Sequence, residues 1–278
     1  MPGEGRLARW LGPLRRAYFV ALRRPAWAMG YADHKMALVR SALADPGVMR
    51  AFRDGGALPP SFGRGIDERI VEYPWAVSRL AELRPSRVLD AGSTLNHAEV
   101  LDAAPLQGPE LHIVTLAPEP RCFWWRGVSY VYADLRSLPF RDGYYDVVVS
   151  LSTLEHIGLD VSLYGARATA PGGLEAAVRE LRRVLRPGGT LLVTVPYGRR
   201  MDFEWMRQFD AADLDGLRAA FQPSASKASF YGYRASGWTV GTAESLAAAE
   251  YHDVWTAADP APDGAAAARA VACLELTR

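Results

Sequence analysis

The sequence predicts an α/β fold with a doubly wound, mostly parallel sheet. From Arg87 onward, short apolar runs alternate with segments of helical periodicity, the order that places helices on both faces of such a sheet. The first of these runs passes through Gly92 into a predicted helix, and glycine permits the sharp turn that this connection needs. The chain has 278 residues and is 49% hydrophobic, which suffices for one large core with an appendage.

The N-terminal part of the chain is predicted to form a helical extension, or cap, over residues 1–65. Its apolar residues recur at helical spacing, whereas residues 54–65 are rich in Gly and Pro and indicate a loop. The main domain is then expected to occupy residues 66–278. Helices in this first part are predicted at residues 6–24, at 33–43 and directly after Pro46. The main domain is predicted to begin with a helix at residues 66–83, which leads into the first strand.

Seven strands are predicted in the main domain, with the last one antiparallel. The helix predicted at residues 173–185 has one continuous apolar face and is stopped by the run Arg-Pro-Gly-Gly at 186–189. A second helix is predicted at residues 213–221, with Asp210 or Asp213 as its cap. The strands are predicted at residues 88–89 (ending at Asp90), 111–116, 128–132, 145–151, 190–195, 229–234 and 270–276.

Four motifs follow one another at the spacing of one known family. Asp90-x-Gly92 ends the first strand, and Asp134 ends the third before a Leu-Pro-Phe turn at 138–140. The fourth strand leads into Leu-Glu-His at 154–156, and Leu-Arg-Pro-Gly-Gly at 185–189 precedes the fifth strand. Over residues 85–200 the chain thus resembles class I S-adenosylmethionine-dependent methyltransferases with a type 11-like domain. The resemblance implies a Rossmann-like fold, S-adenosylmethionine as cofactor and methyl transfer as the reaction.

The resemblance implies that the cofactor lies at the carboxyl ends of the first four strands. The adenine amine needs an acceptor, which Asp134 can supply, and Leu135 offers a backbone N–H and apolar contact to the ring. Capping of the following turn is the alternative role of Asp134. The other residues expected at the cofactor are Asp90, Gly92, Ser93 and Asn96 after the first strand, Thr115 and Leu116 at the end of the second, and Leu151 at the end of the fourth.

Two departures from the family pattern bear on activity. Gly92 is the one glycine left of the usual three, because Thr94 and Asn96 hold the later positions. Thr115 stands where an acidic residue usually accepts the ribose hydroxyls, and Glu119 lies four residues further on. Three interpretations stay open: the ribose is held differently, the affinity for the cofactor is low, or the site is degenerate.

Methyl transfer requires a positioned nucleophile, and a base where the acceptor is a hydroxyl group. His156 is the first candidate for the base and Tyr197 the second, since both follow strands near the expected methyl group. Shaping of the loop is the alternative role of the Glu155-His156 pair. No spacing of His or carboxylate residues indicates a metal site. Candidates for the acceptor pocket are residues 157–172, Trp205, Arg207 and Tyr231.

The predicted function is methyl transfer to a small molecule or a glycan, with oxygen as the expected acceptor atom. A catalytically weak or non-catalytic protein with the same fold is one alternative, motivated by the missing glycines and by Thr115. A membrane-surface enzyme that modifies a lipid-linked glycan is the other, motivated by the basic N-terminal helix.

Charge and composition bear on partners and compartment. The formal net charge is +1, which gives no indication of nucleic-acid binding. Two cysteines, Cys122 and Cys273, provide neither a metal-binding spacing nor a disulfide framework. No apolar run is long enough to span a bilayer, and arginines interrupt the first apolar stretch, so that we expect no signal peptide and a cytoplasmic protein.

The helix predicted at residues 6–24 is both basic and amphipathic. The first 40 residues carry eight basic and two acidic side chains, so that the rest of the chain is net negative. Such a helix can lie on an anionic membrane as a peripheral contact. The alternative, which we expect, is packing on the rest of the protein or on a second subunit of a homo-oligomer. Its predicted apolar face comprises Leu7, Trp10, Leu11, Leu14, Tyr18 and Leu22.

Overall fold

A computed structural model describes residues 4–160, 173–254, 257 and 259–278, with the backbone alone for residues 4–10. Most of the insertion predicted after the fourth strand, including Tyr164 and Arg167, lies outside the described residues.

Four helices precede the sheet, and their ends follow from local chemistry. The Asp45 carboxylate accepts hydrogen bonds from the N–H groups of Gly47 and Val48 and so caps the helix that starts at Pro46. The first helix docks on the second, because Phe19 packs on Tyr31 at 5.8 Å between ring centroids. The helices are α1 (Glu4–Ala21), α2 (Tyr31–Ala44), α3 (Pro46–Asp54) and α4 (Arg69–Leu83).

The central sheet has eight strands in the described residues, one more than the sequence predicts. Five neighbouring strands are parallel, in the order β3-β2-β1-β4-β5, and the last strand, β10, pairs antiparallel with β5 as expected. Beyond β10 lie β8 and then β9. The sheet strands are β1 (Arg87–Ala91), β2 (Glu110–Thr115), β3 (Ser129–Tyr132), β4 (Tyr145–Leu151), β5 (Leu185–Pro196), β8 (Ala225–Arg234), β9 (Gly237–Gly241) and β10 (Ala270–Thr277); β6 (Met201–Asp202) and β7 (Arg207–Gln208) pair separately.

Strand β9 is the additional strand, and contacts distant in sequence explain why local pattern does not predict it. Its five residues include two glycines, which disfavour strands on their own. The buried Trp238 holds it in place: its backbone N–H donates to the Phe62 carbonyl, and its Nε1 donates to the Ile66 carbonyl at 2.9 Å.

Helices cover both faces of the sheet and separate two cores. Along β4, Val147 and Val149 point into the core under α1–α4, whereas Val148 points into the core on the opposite face. That second core is closed by an amphipathic helix and by a helix with a capping box at Asp210. The helices after β1 are α5 (Ala98–Leu101), α6 (Leu174–Val184), α7 (Ala211–Phe221) and α8 (Ala243–Leu246).

The strand order places a crevice at the carboxyl ends of β1 and β4. Successive strands run from β1 toward β3 on one side and from β4 toward β5 on the other, so that the chain reverses direction between β1 and β4. Loops that leave this point diverge, and open α/β sheets bind ligands there.

The docking of α1 depends on Gly30, and a substitution tests it. Gly30 has φ +92°, and a Cβ at this position would collide with the Arg15 carbonyl and with the Phe19 side chain. Gly55 is a matched control, because it also has a positive φ, +69°, but nothing lies within 4 Å of an added Cβ.

We expect Gly55→Ala to lower the free energy of unfolding by about 1–2 kcal/mol, the cost of the left-handed conformation. Gly30→Ala should cost about 1–3 kcal/mol more, because the added methyl group overpacks the contact between α1 and α2. Urea unfolding of both variants measures the difference, and equal losses would contradict this description of the contact.

Candidate functional site

The loop after β1 is organised by the Asp90 carboxylate. Asp90 is fully buried, and it accepts hydrogen bonds from the Leu95 N–H at 2.8 Å and from the N–H and hydroxyl of Thr94. The side chain at the end of the strand therefore fixes the backbone of the five residues that follow. Burial raises the pKa of Asp90 to about 7.

Gly92 is required by a contact within the protein. It has φ +123°, and a Cβ at this position would overlap the side chain of Thr153, which follows β4. The next residue, Ser93, also has a positive φ, +61°, and its buried Oγ has no hydrogen-bond partner among the described residues. A buried hydroxyl without a partner is costly, so that Ser93 Oγ is a position where a ligand can form a bond.

Asn96 connects the β1 loop to the segment after β2. Its amide nitrogen donates to the Glu119 carboxylate at 2.8 Å and to the Arg121 carbonyl at 3.0 Å, and its amide oxygen accepts from the Tyr130 hydroxyl. Asn96 is thereby satisfied by the protein itself. Glu119, which the sequence offered as the acid in place of Thr115, is held against the β1 loop by this contact.

The remaining residues predicted at the cofactor lie along the same edge of the sheet. Thr115 ends β2 and is half-buried, Leu116 after it is exposed, and Leu151 ends β4 and is fully buried. Leu135 is buried beside the end of β3. The backbone thus brings the predicted positions on β1, β2, β3 and β4 to one edge.

Asp134 is engaged by its own loop. Its carboxylate accepts hydrogen bonds from two side-chain nitrogens of Arg136, the shorter being 2.7 Å from Nη2. It also accepts a hydrogen bond from the backbone N–H of Arg136. These hydrogen bonds lower the pKa of Asp134. The arrangement combines the predicted acceptor with the turn-capping role, since a carboxylate has four lone-pair positions to share.

A buried ion pair, absent from the sequence prediction, connects α4 to the ends of β4 and β5. The Glu72 carboxylate, with no exposed surface, lies 2.7 Å from Arg69 on the same helix. It also accepts the hydroxyls of Ser152 and Thr194, each at 2.5 Å. Arg69 donates in addition to the Leu151 carbonyl at 3.0 Å.

Two further carboxyl groups lie near Arg69 with unused hydrogen-bonding capacity. Glu155 is 2% exposed, and Glu68 adjoins Arg69; one carboxylate oxygen of each has no partner among the described residues. Burial raises the pKa of both groups, that of Glu68 to about 7. The region after β4 is therefore acidic and poorly hydrated.

His156 lies beside this region in a defined tautomer. Its Nδ1 is 2.8 Å from the Trp205 carbonyl, and the two rings stack at 5.5 Å. A carbonyl only accepts, so that Nδ1 carries the proton and Nε2 the lone pair in the neutral ring. Burial lowers the pKa of His156 to about 4, which keeps the ring neutral at physiological pH.

Tyr197 and Tyr231 lie away from this group. The Tyr197 hydroxyl donates to the Ala243 carbonyl at 3.2 Å, and its ring packs on Phe230 in the core beneath α6 and α7. Tyr231 packs on Phe52 in the core beneath α1–α4. These contacts give both residues a role in packing, whereas Tyr197 as a base and Tyr231 as part of the acceptor pocket stay predictions.

An aromatic group does assemble near His156. Tyr251 contacts Phe203 at 5.6 Å and Trp205 at 6.1 Å between ring centroids. The Trp205 Nε1 and the Arg207 Nε are buried without a hydrogen-bond partner among the described residues. Among the residues that the structure describes, no three His, Cys, Asp or Glu side chains come together as a metal site would require.

Comparison with known families identifies the central part of the chain. Residues 113–193 match the family model described as a methyltransferase domain. The predicted resemblance to class I methyltransferases is confirmed. The chain is also 25% identical over 156 residues to a malonyl-[acyl-carrier protein] O-methyltransferase from Xylella fastidiosa (strain M23). That match covers 53% of this chain and 46% of the relative, so that the chain spans about half the length of this curated relative.

Solved structures similar to the methyltransferase fold of this chain include two that match most of its length. One is the [4+2]-cyclase SpnF, with 18% identity, a TM-score of 0.47 and coverage of 88% of this chain and 96% of that one. The other is a Burkholderia thailandensis 1,6-didemethyltoxoflavin-N1-methyltransferase with bound S-adenosylhomocysteine, with 17% identity, a TM-score of 0.45 and coverage of 87% and 88%.

The contribution of the buried Arg69–Glu72 ion pair to stability can be compared with that of an exposed ion pair on the same helix. Glu72→Ala is expected to lower the free energy of unfolding by about 3–5 kcal/mol, because it leaves Arg69 buried without its partner. Glu82→Ala removes an Arg79–Glu82 pair with the same spacing on the same helix, but Glu82 is 43% exposed. The control should cost less than about 1 kcal/mol. Similar losses in denaturant unfolding would show that burial does not distinguish the two pairs.

The raised pKa of Asp90 predicts a pH dependence. The pKa of an unfolded Asp is about 4, whereas the pKa of Asp90 in the folded protein is about 7. Between these two pH values the folded state retains a proton that the unfolded state has lost. The stability that the neutral carboxyl group contributes is fully present below the unfolded pKa and is lost as pH rises through 7.

Asp90→Asn removes this titration while its amide oxygen still accepts the Leu95 N–H. Relative to the unmodified chain, the variant should therefore gain stability steadily as pH rises from 4 to 8. Unfolding curves at a series of pH values test this, and parallel pH profiles for the two proteins would count against a raised pKa at Asp90.

Proposed function

We propose that the protein is an S-adenosylmethionine-dependent methyltransferase that acts on a small molecule or a glycan. The observation that carries the proposal is the β1 loop: the buried Asp90 fixes its backbone, and Ser93 Oγ is left without a partner at the crevice between β1 and β4. The methyltransferase-domain match over residues 113–193 supports the same assignment.

The residues at this edge fit the parts of the cofactor. Ser93 and the β1 loop would hold its methionine end, and Asp134 with Leu135 would hold adenine. Asp134 can accept the exocyclic amine while it remains paired with Arg136, because each carboxylate oxygen accepts more than one hydrogen bond. A sulfonium cation bound nearby would favour the ionised forms of Glu68 and Glu155, whose pKa values burial raises.

The ribose contact is proposed to involve Glu119. Thr115 offers one uncharged hydroxyl group at the end of β2, whereas Glu119 presents a carboxylate beside the β1 loop, where Asn96 holds it. We therefore infer that the ribose is held differently from the family pattern. Asn96 acts as the positioning residue for this acid.

Methyl transfer would require few groups of the protein. When bound, the cofactor supplies a methyl group on a sulfonium, which is already activated toward a nucleophile. His156 would accept the proton of a hydroxyl acceptor at Nε2, because Nδ1 donates to the Trp205 carbonyl. Nε2 of the resulting imidazolium would lie 3.9 Å from the Glu155 Oε1.

The acceptor is proposed to bind against the aromatic group formed by Phe203, Trp205 and Tyr251. Aromatic faces pack well on sugars and on planar small molecules, and the buried Trp205 Nε1 and Arg207 Nε offer two donors. Oxygen is the proposed acceptor atom. The relative from Xylella fastidiosa is an O-methyltransferase by name, in agreement with this proposal. The N-terminal helices over residues 1–65 would form a cap next to this site.

Calorimetric titration with S-adenosylhomocysteine tests the proposal. Asp134→Ala should weaken binding by about 5- to 150-fold, the equivalent of about 1–3 kcal/mol for an unpaired polar group. Thr115→Ala should weaken it less, because Thr115 contributes at most one neutral hydrogen bond. Asp142→Ala is a control, since Asp142 also lies in a loop before β4 and pairs with an arginine, but is 76% exposed.

Two outcomes would contradict the proposal. No detectable binding at millimolar ligand would favour the non-catalytic alternative. Equal losses for Asp134→Ala and Thr115→Ala would show that the assignment of adenine and ribose to β3 and β2 is wrong.

A further inference from the structure

Among the described side chains of helix α1, residues 11–21, those that dock it on the protein lie on one side. That side carries Phe19, which is 8% exposed against α2, and Arg15, whose guanidinium forms two hydrogen bonds of 2.8 Å with Asp33. Gly12 lies one turn earlier, where an added Cβ would be 3.1 Å from the Asp33 carboxylate. The contact predicted between this helix and its own protein therefore exists, but it leaves other described side chains of the helix exposed.

The other side of α1 is apolar and exposed. Leu11, Leu14, Tyr18 and Leu22 follow one another at intervals of three, four and four residues, which places them on one face of a helix. Their exposed fractions are 44%, 66%, 39% and 57%. The turn after α1 extends the surface with Trp27 and Met29. We refer to these six side chains as the apolar stripe.

Exposed basic residues accompany the apolar stripe on α1 and in the turn after it. Arg16, Arg23 and Arg24 are exposed, and none of them forms an ion pair with a described residue. The first 40 residues carry a formal charge of +6 in a chain whose net charge is +1. An exposed apolar helix face on a segment rich in exposed arginine is typical of helices that lie in the interface of an anionic bilayer.

We propose that the apolar stripe and its arginines dock the protein on an anionic lipid surface. The positive charge of the first 40 residues favours this occupant over a second copy of the chain. In a two-fold dimer the same patch meets itself, which would bring the arginines of both copies together. No helix among the described residues is long and apolar enough to cross a bilayer, and the proposed contact needs none: α1 lies along the surface.

Co-sedimentation of the full chain with vesicles tests the proposal. The vesicles are pure phosphatidylcholine, or phosphatidylcholine with phosphatidylglycerol. Binding is expected to the anionic vesicles alone and should fall steeply with salt, because the attraction decays within a Debye length. Replacing Arg16, Arg23 and Arg24 with Gln should weaken binding by about fivefold for each arginine, the equivalent of about 1 kcal/mol.

A pair of double variants distinguishes the apolar stripe from any other apolar surface. Leu14→Ser with Leu22→Ser removes two exposed side chains of the stripe. Trp124→Ser with Trp125→Ser is the matched control, because both tryptophans are exposed, at 72% and 62%, in the loop before β3. All four side chains are exposed, so that melting temperatures should hardly change. The first variant should lose vesicle binding, and the second should retain it.

The proposal does not depend on the proposed methyl transfer, and the vesicle experiments test it separately. Absence of binding to anionic vesicles at low salt would overturn it, as would loss of binding in the tryptophan variant with none in the leucine variant. Concentration-dependent self-association that the leucine substitutions abolish, without vesicle binding, would assign the apolar stripe to a second copy of the chain.

Discussion

A carboxylate that has lost all contact with water constrains the centre of this protein. Glu72 has no exposed surface, and the cost of removing a charge from water is offset only when every lone pair finds a donor. Its donors come from α4, from the residue after β4 and from a residue near the end of β5. Because these hydrogen bonds require a fixed geometry, α4 and the two strand ends must hold one relative position. The loops at the crevice are built on that position.

The β1 loop shows how this protein accommodates the loss of two glycines. In the family pattern that the sequence resembles, glycines stand at the positions of Thr94 and Asn96. Here Thr94 and Asn96 turn their side chains to the protein, onto Asp90 in one case and onto Glu119 and Arg121 in the other. Gly92 remains because Thr153 occupies the space that a Cβ would need. The substituted residues thus stiffen the loop and do not obstruct it.

Local pattern predicted those parts of the fold whose stability is local. The parallel strands are continuous apolar runs, and α3 and α7 begin at capping carboxylates that can be recognised in the sequence. The edge that carries Asp90, Asp134 and His156 followed from motif spacing. Glu72 was not predicted because its partner Thr194 lies 122 residues away, and a buried Arg-x-x-Glu pair resembles an exposed one in sequence. The packing of Tyr197 on Phe230 was not predicted, because the direction of a side chain at a strand end depends on tertiary contacts.

The contacts of Trp238 determine the order in which the protein can be completed during synthesis. The carbonyls of Phe62 and Ile66 receive their donors from a residue more than 170 positions later in the chain. The ribosome therefore releases α1–α4 long before β9 exists to close the loop beside them. Strands β1–β5 follow α4 directly and can cover part of these helices, but over that interval the loop that carries Phe62 and Ile66 lacks Trp238, and chaperones have access to the surface that it will cover. The first segments to be made are thus among the last to reach their final packing, and a chain truncated before residue 238 retains this defect permanently.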